Sequence, residues 1–174
     1  MEQLKSMIRN IPDFPKPGIQ FKDITTLFEN RWGFKKCLDI FEEYYQYQPI
    51  DKIAGIESRG FILGAALADR LNCGFVLIRK KGKLPWKTVS ESYELEYGTD
   101  ELEIHVDSIK EGEKILIVDD LLATGGTLEA SAKLIEKVKG DIVGLACIIE
   151  LLGLNGRKKL EKYPFYSVLT YDET

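Results

Sequence analysis

Two adjacent carboxylates, Asp119 and Asp120, precede a stretch of small and hydroxyl-bearing residues, Thr124-Gly125-Gly126-Thr127. Glycines let the backbone come close to an anion, and the free N–H groups of a helix's first turn point at it with the dipole's positive end. Thr124 and Thr127 add hydroxyl donors to the same oxygens. The two carboxylates repel phosphate, so they need another partner, either sugar hydroxyls or a Mg²⁺ carried by the ligand. Together these residues describe a phosphate site with a sugar clamp beside it. Neither a Gly-x-x-x-x-Gly-Lys-Ser/Thr nor a Gly-x-Gly-x-x-Gly pattern occurs in this loop.

A second string with similar chemistry is Glu57-Ser58-Arg59-Gly60-Phe61. Ser58, Arg59 and Gly60 suit another anion through backbone N–H groups and a guanidinium fork. A third stretch, about residues 79–104, opens with clustered cations and closes on acidic and aromatic residues. A connection of that length with little structure of its own reads as a lid. It is expected to bring Arg79, Lys80 and Lys83 onto a pyrophosphate and Glu96 near a flat partner. His105, the only histidine, is one position in the alternating run Leu102–Val106 and has no nucleophile or metal partner nearby in sequence.

The elements that must hold these residues follow from hydrophobic pattern. Ile115-Leu116-Ile117-Val118 is a short apolar run of the kind buried on both faces in a parallel sheet. The acidic pair is expected to end it, with a loop from Leu121 to Gly126. A helix follows, with Leu128, Ala132, Leu134, Ile135 and Val138 on its apolar face. Lys52–Ile56, Gly74–Ile78, Ile142–Leu152 and Pro164–Leu169 read as further strands, and a helix carrying Ile62, Leu63, Ala66, Leu67 and Leu71 follows Gly60. The fold class is therefore α/β, a mostly parallel twisted sheet flanked by helices. Leu4, Met7, Ile8 and Ile11 predict an N-terminal helix over Glu2–Ile11, stopped by three prolines that hold an extended path. Arg31–Tyr47 reads as an amphipathic helix whose aromatics belong to the core. Glu150 interrupts its strand as a carboxylate near the pocket or a partner for Arg157, and Gly153–Lys162 is a polar connection.

The 174 residues fit one domain, 1–174, with 44% hydrophobic and 30% charged residues, as in a globular protein. A net charge of −4 argues against a general nucleic-acid binder, which needs a basic face. No apolar stretch approaches the length of a membrane span, so no membrane partner is expected. Cys37, Cys73 and Cys147 are scattered among apolar residues and read as free thiols in a reducing compartment, with the cytoplasm as the default.

The string VDDLLATGGT resembles the phosphoribosyl-diphosphate (PRPP) motif of type I phosphoribosyltransferases, and Leu121-Leu122-Ala123 is the variant associated with adenine phosphoribosyltransferases. The resemblance extends through DFPKPGIQFKDIT, ESRGF, RKKGKLPWKT and IIELLGLNGRKKLEKYPFYSVL, covering nearly the whole chain. It implies an N-terminal hood over about residues 1–30, a flexible flap over about residues 79–104, and transfer of phosphoribose from PRPP to adenine. By that resemblance, Asp119 and Asp120 hold the ribose and Ala123, Thr124, Gly125, Gly126 and Thr127 the 5′-phosphate. Ser58, Arg59, Gly60, Arg79, Lys80 and Lys83 meet pyrophosphate, and Glu96 is the catalytic acid or base. The backbone around Gln20 and Lys22 reads the purine edge with Phe21 beside it, although many relatives carry Arg where this chain has Lys22. Mg²⁺ arrives with PRPP and has no direct protein ligand. The cation matching Arg79 comes in relatives from a neighbouring subunit, which implies a homodimer. Chemistry alone leaves the acceptor open to guanine, hypoxanthine or xanthine, and it leaves open a PRPP sensor that binds nucleic acid without turnover.

Overall fold

The buried apolar runs assemble into one seven-stranded sheet whose two central strands lead away from each other. A computed structural model describes residues 1–94 and 98–172. In chain order the elements are α1 (Glu2–Lys5), β1 (Arg9–Pro12), β2 (Gln20–Asp23), α2 (Thr25–Glu29), α3 (Arg31–Tyr45), β3 (Lys52–Ile56), α4 (Arg59–Arg70) and β4 (Gly74–Lys80). They continue with β5 (Thr88–Glu94), β6 (Thr99–His105), β7 (Lys114–Leu122), α5 (Gly126–Lys137), β8 (Asp141–Leu151) and β9 (Phe165–Tyr171). The sheet order is β5-β6-β4-β3-β7-β8-β9. Pairings among β4, β3, β7, β8 and β9 are parallel, and β5 and β6 add an antiparallel hairpin to the β4 edge.

Alternation along β7 separates the two cores. Leu116 and Val118 join α3, α4 and the N-terminal segment through Phe41, Leu63 and Leu4. Ile115 and Ile117 join α5 and the hairpin through Leu134, Ile135 and Ile104. α4 and α5 thus cover opposite faces. β3 leads through α4 to β4 on one side, while β7 leads through α5 to β8 on the other. A crevice opens at their C-terminal ends, the usual ligand position in such sheets.

Four expectations from the sequence change. The first helix stops at Lys5, because Arg9–Pro12 pairs antiparallel with Gln20–Asp23. The Thr26 hydroxyl donates to the Met7 carbonyl at 2.6 Å and accepts the Arg9 N–H at 3.2 Å, taking backbone groups that a longer helix would use. Strand β7 runs through the acidic pair to Leu122. The charged stretch after β4 is a regular hairpin, pairing Thr88 with His105 through to Glu94 with Thr99. Trp32 lies outside the core, 43% exposed, whereas Phe41 and Tyr45 of the same helix are buried. Asn30 caps that helix by accepting N–H bonds from Trp32 and Gly33.

Candidate active site

Three cavities adjoin in the crevice, and Leu121 lines them all. One of about 400 Å³ lies between the two βα turns and is bounded by Ser58, Arg59, Lys80, Tyr93, Asp120 and Thr127. A second, about 50 Å³, follows the backbone from Ala123 to Thr127. The third, about 510 Å³, has Gln20, Phe21 and Lys22 of the hood on one wall and Leu121, Leu151 and Leu154 on the other. Their sequence, from polar crevice through small loop to largely apolar slot, suits a charged sugar joined to a flat base. A groove of about 660 Å³ at the opposite, N-terminal ends of β7 and β8 offers Lys162 and Tyr163, both already bonded to Glu136.

The acidic pair is buried, with Asp119 9% and Asp120 6% exposed. Strand pairing carries past it, setting Asp119 beside Cys147 and Leu122 beside Glu150. Asp119 Oδ1 accepts the Asp120 N–H at 2.9 Å, and Asp120 Oδ2 accepts Arg59 Nε at 2.5 Å. Burial first, then the neighbouring Asp120 charge, push the Asp119 carboxyl well above the ordinary carboxylate range. Two carboxylates so close in a dry site do not both ionise cheaply. A ligand bringing hydroxyl donors or a cation would relieve them. Burial pulls Arg59 down, but the charge and hydrogen bond of Asp120 outweigh it and leave the guanidinium raised.

The two turns touch. A Cβ at Gly60 would lie 2.9 Å from the Val118 carbonyl oxygen and 3.0 Å from Asp119 Oδ1, so glycine lets the first turn of α4 rest on the end of β7. Ser58 occupies the N-cap position of α4, and the Glu57–Ser58 peptide is cis.

Two of the remaining cations, Arg79 and Lys80, are held by carboxylates that the sequence reading did not single out. Arg79, inside β4, donates from Nε and Nη2 to Glu57, each at 3.2 Å, and from Nη1 to the Lys83 carbonyl at 3.1 Å. Burial raises the Glu57 carboxyl, yet the Arg79 fork and the Lys80 N–H outweigh it and leave the group below its usual value. Lys80 Nζ sits 2.9 Å from Asp100 Oδ2, and Tyr93 donates to the same carboxylate at 3.2 Å. The Lys83 side chain is exposed. Glu57 occupies the end of β3 much as Asp119 and Asp120 occupy the end of β7, which is the signal that would have found it. Leu151 and Leu154 reach the slot only through long-range packing and carry no local signal.

In the hood, Gln20 Oε1 accepts from Asn10 Nδ2 at 2.6 Å, and Lys22 Nζ donates to Asn10 Oδ1 at 3.1 Å. The Lys22 ammonium also lies over the Tyr171 ring, 4.7 Å from its centre. Phe21 packs edge-on against Phe14 with ring centres 5.1 Å apart. Glu96, the expected catalytic carboxylate, lies outside the described residues.

A mostly parallel sheet with an acidic strand end, a glycine-threonine helix start and a charged turn beside them defines the phosphoribosyltransferase class. Residues 23–173 match the phosphoribosyl transferase domain family. An adenine phosphoribosyltransferase of Brachyspira hyodysenteriae is 57% identical over 97% of this chain and 99% of its own length. The crystal structure of the Rhodothermus marinus adenine phosphoribosyltransferase matches at a TM-score of 0.92 and 53% identity, covering 98% of this chain and 97% of that one. The Saccharomyces cerevisiae adenine phosphoribosyltransferase, solved with an imino-altritol bisphosphate and adenine, matches at 0.92 and 40% identity over 97% of both chains. The chain belongs to the adenine phosphoribosyltransferase family.

Proposed function

We propose that the protein transfers phosphoribose from PRPP to adenine, forming AMP and pyrophosphate. The observation that carries this reading is the set of three adjoining cavities with Leu121 as their shared wall. In this reading Ala123, Thr124, Gly125, Gly126 and Thr127 hold the 5′-phosphate, and Asp119 and Asp120 accept from the ribose hydroxyls. Ser58, Arg59 and Gly60, with Arg79, Lys80 and Lys83, meet the departing pyrophosphate, Arg59 leaving Asp120 and Lys80 leaving Asp100 to do so. Backbone groups around Gln20 and Lys22 read the purine edge, with Phe21 and the leucines forming its apolar walls. The adenine bound to the yeast relative supports this choice of base.

The donor set at the strand end is hard carboxylate oxygen, which suits Mg²⁺. Among the described residues no group of three His, Cys, Asp or Glu side chains converges on a metal position. In this reading Mg²⁺ comes with PRPP and takes no direct ligand from the chain, and when bound it would neutralise charge on the pyrophosphate. The chain's own part is to position the sugar, neutralise the leaving group and exclude water while positive charge develops on the ribose. Glu96, between β5 and β6 in sequence, manages the proton of the attacking ring nitrogen. Glu96→Ala is expected to lower kcat by about 10²–10⁴ with the PRPP KM little changed, as for loss of a general acid or base. A raised KM at constant kcat would make Glu96 a binding contact only.

The deciding test offers adenine, guanine, hypoxanthine and xanthine in parallel with PRPP and Mg²⁺. AMP from adenine alone is the expected result. Turnover of another base would reassign the slot, and turnover of none would favour a sensor. We also propose one domain over residues 1–174, a hood over about residues 1–30 and a flap over about residues 79–104. Leu4, Ile8, Ile24 and Leu27 of the hood share a core with α3 and α4, which supports the single unit. A homodimer in the cytoplasm completes the reading, to be checked by light scattering and by localisation. No described helix is long and apolar enough to cross a membrane.

A further inference from the structure

The connection between β8 and β9 gives Leu154 to the base slot, and it also brings its backbone very close to that of the phosphate loop. It consists of two 3₁₀ turns, Leu152–Leu154 and Gly156–Leu160. Gly156 is buried. A Cβ there would stand 2.3 Å from the Ala123 carbonyl oxygen and 3.0 Å from the Gly125 nitrogen. The contact is reciprocal, since a Cβ at Gly125 would lie 2.5 Å from the Gly156 carbonyl oxygen. Gly125 also has φ +83°, a conformation that side chains resist. Leu122 Cδ1 also stands 2.9 Å from the Cβ position at Gly156, but the other neighbours are backbone atoms, which cannot swing aside as the end of a flexible side chain can. The turn and the loop are therefore fitted surface to surface.

The turn is itself pinned by the residue next to Gly156. Arg157 donates to Glu150 from Nε at 2.5 Å and from Nη2 at 2.7 Å, and the Ser167 hydroxyl donates to the same carboxylate at 2.8 Å. Glu150 is 3% exposed. The Arg157 guanidinium lies over Phe165, 4.6 Å from the ring centre. Leu160, 1% exposed, anchors the far end of the turn in the α5 core. Glu150 also sits opposite Leu122, the residue before the loop. Glu150 therefore joins the two by different groups: its backbone stands beside the strand that enters the loop, and its carboxylate holds the turn that backs it. Glu150 is buried while the Arg157 side chain is half-exposed, and an ion pair of this kind adds little net stability, so fixing a geometry is the better-attested reason to keep it.

We propose that Gly156 and the Glu150–Arg157 pair are positioning residues for the 5′-phosphate. They hold the Ala123–Gly126 backbone in the shape that receives the phosphate, and so set affinity for phosphorylated ribose without touching it. The inference rests on the reading of this loop as the 5′-phosphate site. Backbone donors lose strength steeply when misaligned, so a small shift of the loop is felt by the phosphate and hardly by the base.

The test is calorimetric binding of AMP and of adenosine, which differ only in the 5′-phosphate, to wild type, Gly156→Ala and Arg157→Lys, with melting temperatures and steady-state kinetics alongside. Gly156→Ala is expected to weaken AMP about 10–100-fold, the scale of overpacking a tight site, while adenosine changes less than about threefold. Arg157→Lys keeps the charge but loses the fork, and is expected to weaken AMP by roughly 3–10-fold. In both variants the PRPP KM rises and kcat at saturating PRPP is largely kept. Equal losses for AMP and adenosine, or unchanged AMP binding in both variants, overturn the proposal. If Gly156→Ala does not fold, the AMP-to-adenosine ratio of Arg157→Lys decides. A wild type that binds both ligands equally would instead remove the phosphate-loop reading, and the proposal with it.

Discussion

The two βα turns at the crevice start from the same plan, an apolar strand delivering its C-terminal end to a helix N-terminus, and they are secured differently. After β3, α4 begins almost at once, and the turn is surrounded by charge: Glu57 holds Arg79, and Arg59 reaches across to Asp120. After β7, the strand runs on through Asp119 and Asp120, and the loop that follows is fixed by glycine contacts with the Gly156 turn. In the proposed reading, ligand replaces the partners of the first turn, whereas the second already has its shape. Charges that exchange partners suit a group that must leave, and a rigid backbone cradle suits a phosphate that stays bound through the reaction. Gly60 is where the two meet, so the charged turn is registered on the rigid one.

Four substitutions would break or sharpen this contrast. The largest effect is expected from Asp119→Asn with Asp120→Asn, which removes the charged acceptors and strands Arg59. A loss of about 10²–10⁴ in kcat/KM for PRPP follows from two charge-assisted bonds. Full activity in the double variant would dissolve the assignment of the strand end. Gly60→Ala comes next, because its Cβ meets the Val118 carbonyl and Asp119. Overpacking of about 1–3 kcal/mol corresponds to a melting temperature lower by roughly 2–10 °C, with weaker PRPP binding. An unchanged PRPP KM would show that the two turns act independently.

The third is a pH experiment on Asp119→Asn. The folded Asp119 carboxyl is raised, so its stabilising contribution is full below the ordinary carboxylate range and is lost as pH rises through the raised value. The variant escapes that loss. It is expected to melt a few degrees above wild type at pH 8, about 2–4 °C for each kcal/mol, with the gap closing toward pH 4. A variant that melts below wild type at pH 8 would show the burial cost to be already met in the apo protein. The smallest effect is expected from Asp100→Asn, which releases Lys80 on the flap. An ion pair this exposed is worth up to about 1 kcal/mol, so pyrophosphate should bind up to about fivefold tighter by competition assay. Weaker pyrophosphate binding would mean that Asp100 aims Lys80 rather than detaining it.

Much of this architecture was legible because burial on both faces leaves a strong pattern. Ile115–Val118, Lys52–Ile56 and Gly74–Ile78 lie in β7, β3 and β4, and of the expected apolar positions Leu128, Ala132, Leu134 and Ile135 are among those α5 buries, while Val138 falls at its C-cap. The Glu150–Arg157 pairing was legible as one of two options for a carboxylate inside an apolar strand. What was lost shares a physical cause. Thr88–Glu94 lies at a sheet edge, and its pairing with β6 makes it a strand without an apolar run to announce it. The last residues of β7 were hidden because carboxylates in sequence look like a strand's end, whereas β8 carries the ladder past them after pairing with β3 has stopped at Val118. Helical spacing at Leu4, Met7, Ile8 and Ile11 was a true pattern that hood pairing overrode. The contact of Gly156 with Ala123 and Gly125 is steric and long-range, and two glycines in a sequence carry no sign of it.

The cation-π stack in the hood has a consequence for how the protein is made. Lys5 and Lys22 both rest on the ring of Tyr171, 5.3 Å and 4.7 Å from its centre, so the hood depends on a residue from nearly the other end of the chain. Contacts of such separation close late, because the loop entropy must be met before they contribute. On a ribosome the hood emerges early and waits for β9. A nascent chain stalled before Phe165 already carries every lining residue of the base slot but not the ring on which Lys5 and Lys22 rest, so the hood wall of that slot is expected to be fixed only when the last strand of the sheet arrives.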